Sequence, residues 1–284
     1  MINEHAVWDE IWPVVEQLIA ATIAEDSQRI RQFLQPEGQA ADALDLFGFT
    51  VFDILLKTVL GRERLGLTRA IEADDGAAVY IEYAWPDPGS ADNSYTAVDV
   101  VAVRLVREAS SWLVAEINPA SADLPLNSLR ATGVLAGTQV LADDGRLPSE
   151  PWVLPIALYA GLLQLPLQPE AAGDDVEALL LPGLQARQYG FLPQLFGRRL
   201  WRDYRAGTEI TQTDLPSVWA AAVEFILGRQ NNRDETQAAV GRYYKTSLGT
   251  VSARVKHIRH ALGIGEPDER YTDLTTTEII YKES

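Results

Sequence analysis

Helical spacing of apolar residues dominates the first sixty residues of the chain. In IWPVVEQLIAATIAEDSQRIRQFLQPEG, apolar positions recur every three or four residues, as with Val14 and Leu18, which predicts an amphipathic helix. Pro13 suits the first turn of that helix. The pattern then predicts a short second helix around Ile30 that stops at QPEG, and a third helix through DALDLFGFTVFDILLKTVLG that closes at Gly61.

The spacing then changes to two, which is the period of a strand. AAVYIEYAW, TAVDVVAVRLV and SSWLVAEINP each alternate, and the turns between them are short enough for hairpins. We therefore expect an antiparallel sheet of these three strands. In the last strand, the alternation places Leu113, Ala115 and Ile117 on one face and Trp112 and Val114 on the other.

This helix-then-sheet order resembles a known family. AATIAEDSQRIRQFLQPEG followed by VAVRLVREASSWLVAEINP is similar to the SnoaL-like members of the nuclear-transport-factor-2-like superfamily, over roughly Val7 to Ala120. The resemblance implies a cone-shaped α+β domain, in which a curved antiparallel sheet wraps over helices. Such cones often hold an apolar pocket, and some members are isomerases, cyclases or dehydratases.

Four residues are the candidates for lining such a pocket, which would take a small apolar ligand: Tyr80, Glu82, Asp99 and Trp112. An acid on an apolar strand face can have a raised pKa and act as a base. Asp99 is therefore the candidate for a general base. The alternative is that Asp99 meets solvent or caps a turn, and the sequence fixes no second titratable partner. We therefore expect ligand binding or dimerisation rather than catalysis, and we assign no catalytic residue.

Composition narrows the class of protein. The chain has 284 residues, 47% of them hydrophobic and 23% charged, which predicts a soluble globular protein of two or three domains. There are no cysteines, so disulfides and thiolate metal sites are excluded and a reducing cytoplasm is the expected compartment. The acidic start, MINEHAVWDE, is unlike a secretory signal.

The middle of the chain, residues 123–213, is predicted to be mainly helical. Its uncharged stretch PWVLPIALYAGLLQLPLQP is broken by prolines, which predicts a buried helix from near Pro155 to Leu165 rather than a membrane span. The basic run around Trp201, RQYGFLPQLFGRRLWRDYR, could brace nucleic acid, but an aromatic core edge with solvated arginines is favoured. No phosphate loop, metal-ligand spacing or nucleophile motif occurs, so we expect no metal and no cofactor.

Charge is distributed unevenly along the chain. The formal net charge is −16, yet residues 229–264 contain seven basic and two acidic residues, a net charge of +5. The remainder is therefore −21. Because phosphate attraction depends on the field at the contact face, overall acidity does not exclude DNA binding by this segment.

The same segment has the spacing of a helix-turn-helix. Gln237 opens a helix, the small residue Gly241 follows four positions later, and Val251 follows ten after that. Thr236 and Ser247 are the expected caps of the two helices, on either side of the turn KTS. A supporting helix precedes them in PSVWAAAVEFILGRQNN, with Pro216 in its first turn and Asp214 or Ser217 as its cap. The stretch is similar to the DNA-binding domains of bacterial transcription regulators and sigma-like factors.

Two departures from the family pattern stand out. Lys245 occupies the turn position where glycine is usual, which predicts a wider turn or a strained backbone. Arg254 occupies a position that is commonly apolar and inward, and it is the only candidate for reading guanine. If the motif docks in the usual way, the residues at the DNA are Arg242, Lys245, Ser247, Gly249, Thr250, Ser252, Ala253, Arg254, Lys256 and Arg259.

The predicted organisation is a SnoaL-like α+β domain (1–122), a helical middle segment (123–213) and a helix-turn-helix domain with an acidic tail (214–284). The corresponding function is a cytoplasmic DNA-binding regulator, with a duplex as partner, no membrane, and a first domain that senses a ligand or forms a homodimer. The alternatives are a SnoaL-like small-molecule binder or enzyme with accessory helices, and a non-catalytic scaffold for protein interactions.

Overall fold

The computed structural model describes residues 4–60, 69–73, 76–86, 95–119, 158–159, 161–208, 215–265 and 267–272. For the described positions from 57 to 101, and for 4–9 and 119, only the backbone is described. Helices and an antiparallel sheet are both present, so the fold is α+β. The described elements fall into two compact units, one before and one after residue 157.

The first unit contains four helices followed by a four-stranded sheet in the order β1-β2-β3-β4, all neighbours antiparallel. The predicted antiparallel sheet is confirmed, and β1 is an additional strand that the alternation did not indicate. The elements are α1 (Glu4–Ile23), α2 (Ser27–Gln32), α3 (Gln39–Phe47), α4 (Phe49–Leu60), β1 (Arg69–Ala73), β2 (Gly76–Pro86), β3 (Tyr95–Glu108) and β4 (Ser111–Pro119).

Two helix boundaries differ from the sequence prediction. Helix α1 runs through Pro13 instead of beginning there, and Ile11 and Val15 on either side of the proline are fully buried. The burial of this apolar stripe offsets the backbone hydrogen bond that proline removes. The predicted third helix is divided into α3 and α4 at Gly48, whose φ of 69° ends α3.

A β-bulge in β4 changes which residues face the helices. The pairing with β3 shifts at Leu105, so that Leu105 lies opposite Val114 while Val103 lies opposite Ile117. Val114 and Ile117 are therefore on one buried face, although strict alternation had placed them on opposite faces.

Helix α3 begins against this bulge. A Cβ on Gly38 would lie 2.9 Å from the carbonyl oxygen of Ala115, so only glycine allows the backbones to approach this closely. The side chain of Gln39 accepts a hydrogen bond from the Ile117 amide at 3.3 Å and donates one to Asn118 at 3.1 Å. The side chain thereby satisfies a backbone amide of β4 near the bulge.

The second unit is helical. Its central helix α7 is buried along most of its length, and the other four helices contribute to one apolar core that includes Leu180, Trp201, Trp219 and Val251. Since residues on both sides of position 213 share this core, the predicted boundary at 213/214 falls inside one unit. The predicted boundary at 122/123 lies outside the described residues. The helices are α5 (Asp175–Ala186), α6 (Phe191–Gly207), α7 (Pro216–Gln230), α8 (Gln237–Tyr243) and α9 (Leu248–Leu262).

The buried helix predicted from near Pro155 to Leu165 is described only in part: residues 158–159 are helical and buried, residues 161–165 are not helical, and the other positions lie outside the described residues. Residues 161–174 are non-helical, and the side-chain amide of Gln164 donates to the carbonyl of Tyr189 at 2.9 Å. Gln194 of α6 donates in turn to the side-chain oxygen of Gln164 at 2.9 Å. These side-chain amides stabilise the irregular backbone that follows Gly161, where the apolar composition had predicted a helix. In the part of the chain that the structure describes, no helix is long and apolar enough to cross a bilayer.

Candidate nucleic-acid interface

The supporting helix α7 begins at Pro216, as its position in the first turn predicts. Leu215 occupies the N-cap position and no side chain caps the helix, so the prediction that Ser217 caps it is wrong. Asp214, the other predicted cap, lies outside the described residues. Burial of Val218, Ala222 and Ile226 therefore stabilises this helix, without help from a capping hydrogen bond.

Helix α8 begins and ends at residues with defined caps. The hydroxyl of Thr236 accepts from the Ala239 amide at 3.2 Å, which confirms the predicted cap. At the other end, the Thr246 amide donates to the Gly241 carbonyl at 2.8 Å and the Lys245 amide to the Arg242 carbonyl at 3.2 Å. This pair of bonds is a Schellman motif, which needs a left-handed residue directly after the cap.

Lys245 is that left-handed residue, with a φ of 56°. The prediction of a strained backbone at this position is confirmed. A Cβ on Gly241 would lie 3.2 Å from the carbonyl oxygen of Thr246 and 3.5 Å from a methyl of Val251. The small residue expected at Gly241 is thus required by the approach of the turn and of α9.

Replacing Lys245 with glycine is expected to raise the free energy of unfolding by about 1 kcal/mol, because glycine adopts the left-handed conformation without the Cβ penalty. Urea denaturation of the full chain would measure the change. Lys245→Ala is the matched control, since it removes the charge and keeps the Cβ. Equal stabilisation by both variants would show that charge, and not backbone strain, sets the effect.

Helix α9 begins at a side-chain cap and ends at a glycine. The Ser247 hydroxyl accepts from the Thr250 amide at 3.2 Å, and Gly263 closes the helix with a φ of 61°. The predicted cap at Ser247 is confirmed. Val251, Val255 and Ile258 form a buried stripe at helical spacing, Leu262 is partly buried against the same core, and the stripe packs α9 against α7.

Arg254 lies against the supporting helix rather than on the outer face of α9. Its guanidinium carbon is 5.0 Å from the centre of the Trp219 ring, and the side chain is half-buried. Cation–π contact and burial of the aliphatic stem both stabilise this position. Arg254 therefore helps to dock α9 on α7, and its geometry does not favour the guanine contact that the sequence suggested.

The other candidate DNA contacts lie on α8, in the turn and along α9. Ser247, Gly249, Thr250 and Ala253 are exposed, whereas Ser252 and Arg259 are half-buried. Three cations around this surface are exposed, and no described acidic side chain lies within ion-pair distance of them: Arg242, Lys245 and Lys256.

The second basic stretch, on α6, is neutralised by acids of the same unit. Trp201 is buried and its indole nitrogen donates to Asp174 at 2.9 Å. Arg205 lies 3.6 Å from Asp174, and Arg202 donates to Glu177 at 2.9 Å. This run is therefore the aromatic core edge that the sequence favoured, but its arginines are paired with acids, and Arg198 is buried beside Glu177 instead of solvated.

A buried carboxylate on α7 links Arg187, at the end of α5, to Tyr244, at the end of α8. Glu224 of α7 is fully buried, forms an ion pair with Arg187 and accepts a hydrogen bond from the Tyr244 hydroxyl at 2.7 Å. Arg187 also pairs with Glu235, just before α8. Tyr244 lies against α5: its hydroxyl is so close to Gly183 that a Cβ at that position would collide with it. Local sequence spacing does not predict this network, whose one local signal is a glutamate inside the apolar run AAAVEFIL.

Burial raises the pKa of Glu224 above its ordinary value near 4.5, although the Tyr244 hydrogen bond and the Arg187 charge act in the opposite direction. In the folded state the carboxyl therefore holds its proton to higher pH than in the unfolded chain. Its contribution to stability is present below pH 4.5 and is lost as the pH rises through the folded pKa.

Glu224→Gln is expected to remove this loss of folding stability at higher pH. The free energy of unfolding of the variant should improve relative to the native chain as the pH rises above 4.5, because glutamine does not titrate. Urea midpoints between pH 4 and pH 8 would measure the difference. A gap between the two proteins that is constant with pH would contradict the raised pKa.

The pocket candidates of the first unit lie mainly outside what the structure describes. The side chains of Tyr80, Glu82 and Asp99 are not described, and the strand register sets Asp99 opposite Tyr83. Trp112 is half-buried, and its indole nitrogen donates to Glu10 of α1 at 3.1 Å. The hypothesis of a pocket at these residues stays a prediction.

In the residues that the structure describes, no three acidic or histidine side chains are grouped so as to hold a metal ion. Comparison with known proteins adds no further indication of function. No family model, no curated protein and no solved structure matches the chain.

Proposed function

We propose that the protein is a DNA-binding regulatory protein that contacts duplex DNA through α8, the turn and the first half of α9. One observation carries the proposal: the start of α9 is exposed, and α8, the turn and α9 carry three exposed cations that have no described acidic partner, Arg242, Lys245 and Lys256. Elsewhere in the same unit, Arg187, Arg202 and Arg205 are paired with acids.

The positions of these residues assign different roles to the cations and to the start of α9. Arg242, Lys245 and Lys256 would bind phosphates and set the register of the protein on the duplex. The start of α9 would enter the major groove, as in other helix-turn-helix proteins. Since phosphate contacts carry no sequence information, such an interface binds DNA mainly through its backbone, and pairing of two copies would raise specificity.

The first unit would then bind a small apolar ligand or form the homodimer. Its resemblance to SnoaL-like cones supports this part of the proposal, together with the helices that pack against its antiparallel sheet. A regulator with such a unit needs no catalytic residue.

The test is binding of the full chain to a labelled duplex between 50 and 200 mM salt. We expect affinity to fall steeply with salt, and Arg242→Ala with Lys256→Ala to reduce the slope of log K against log salt by about 2, because two phosphate contacts are lost. Arg29→Ala is the matched control, since it removes an exposed arginine from the first unit. Salt-independent binding, or none, would overturn the proposal in favour of a protein-interaction scaffold.

A further inference from the structure

The first residue of α9 is an exposed leucine. Leu248 is 53% exposed, whereas Val251, one turn later on the same helix, is fully buried. Ala253 is also exposed, and a Cβ on Gly249 would have no heavy atom within 4 Å. The start of α9 therefore presents an open apolar surface at the position where a recognition helix meets base edges.

Several polar side chains near Leu248 are already engaged. The Thr250 hydroxyl lies 2.8 Å from the Ser247 carbonyl and 3.0 Å from the Ser247 hydroxyl, which itself caps the helix. Arg254 lies over Trp219. These contacts reduce the hydrogen-bonding capacity that the start of α9 can use to read the donor and acceptor pattern of the bases.

We infer that Leu248 reads the C5-methyl groups of pyrimidines in the major groove, so that the site prefers thymine-containing DNA. The inference rests on the proposed function. The thymine methyl is the apolar group that base pairs present in the major groove, and apolar side chains are its partners. The missing side chain at Gly249 lets the helix backbone approach the bases closely.

The experiment compares two random-sequence duplex pools that differ only in the methyl group, one with thymine and one with deoxyuridine. The full chain should bind the thymine pool more tightly, by about fourfold for each methyl buried. Replacing cytosine with 5-methylcytosine in the deoxyuridine pool should restore part of the affinity. Leu248→Ser should bind both pools equally, with an unchanged melting temperature because the side chain is exposed.

Leu179→Ser on α5 is the matched control, since Leu179 is 43% exposed on a different helix, and it should keep the preference. Salt-dependent binding that is equal for both pools would overturn the inference and leave the proposed function standing. Discrimination that survives in Leu248→Ser would overturn the assignment to Leu248. If the native chain bound neither pool, the proposed function itself would be overturned.

Discussion

Glu224→Ala is expected to lower the free energy of unfolding of the second unit by about 3 kcal/mol, at the lower end of the range for breaking a buried ion pair. The variant leaves the Arg187 guanidinium, which is 15% exposed, and the Tyr244 hydroxyl without their shared acceptor. Glu235 still pairs with Arg187, which keeps the cost from being larger. Urea denaturation followed by tryptophan fluorescence would measure it.

Two further variants separate the parts of this effect. Tyr244→Phe removes one hydrogen bond to a charged group and should cost about 1.5–3 kcal/mol. Glu235→Ala removes the more exposed partner of Arg187 and should cost less than Glu224→Ala, because solvent replaces much of what is lost. A loss below 1 kcal/mol for Glu224→Ala would show that the network does not hold α8 against α5.

Local spacing was sufficient to predict helices α8 and α9 and the turn between them. The caps at Thr236 and Ser247 and the left-handed Lys245 depend on hydrogen bonds within a few residues, and the small residue at Gly241 depends on packing against residues at most ten positions away. The antiparallel sheet followed in the same way from its period of two. Such features can be predicted from the sequence because the residues that stabilise them lie close together along the chain.

Features that depend on distant partners could not be predicted. Arg254 turns toward Trp219, 35 positions earlier, and Glu224 is paired with Arg187 of another helix. The bulge in β4 fits Gly38 and Gln39, which come more than seventy residues before it. Pro13 lies inside α1 because burial outweighs its local preference. In each case, tertiary packing overrides what the local pattern favours.

Trp201→Ala is expected to lower the free energy of unfolding by about 3–5 kcal/mol, since it empties a buried aromatic site. Trp201 is 1% exposed, and its ring centre lies 5.8 Å from that of Trp219 and 5.8 Å from that of Tyr204. The Tyr204 hydroxyl lies 2.6 Å from the Nδ1 atom of His257 on α9. Aromatic contacts therefore run from α6 through α7 to the candidate recognition helix.

The consequence is that α9 should lose protection in Trp201→Ala although the substitution is on α6. Hydrogen exchange at the amides of Val255 and Ile258 would measure this, and their opening free energies should fall by the same amount as the global stability. Trp201→Phe keeps a ring and loses the bond to Asp174, so it should cost less. If α9 stayed protected while α6 opened, the helix-turn-helix would be an independent folding unit. If both opened together, any change that reaches α6 would also change the helix that we propose binds DNA.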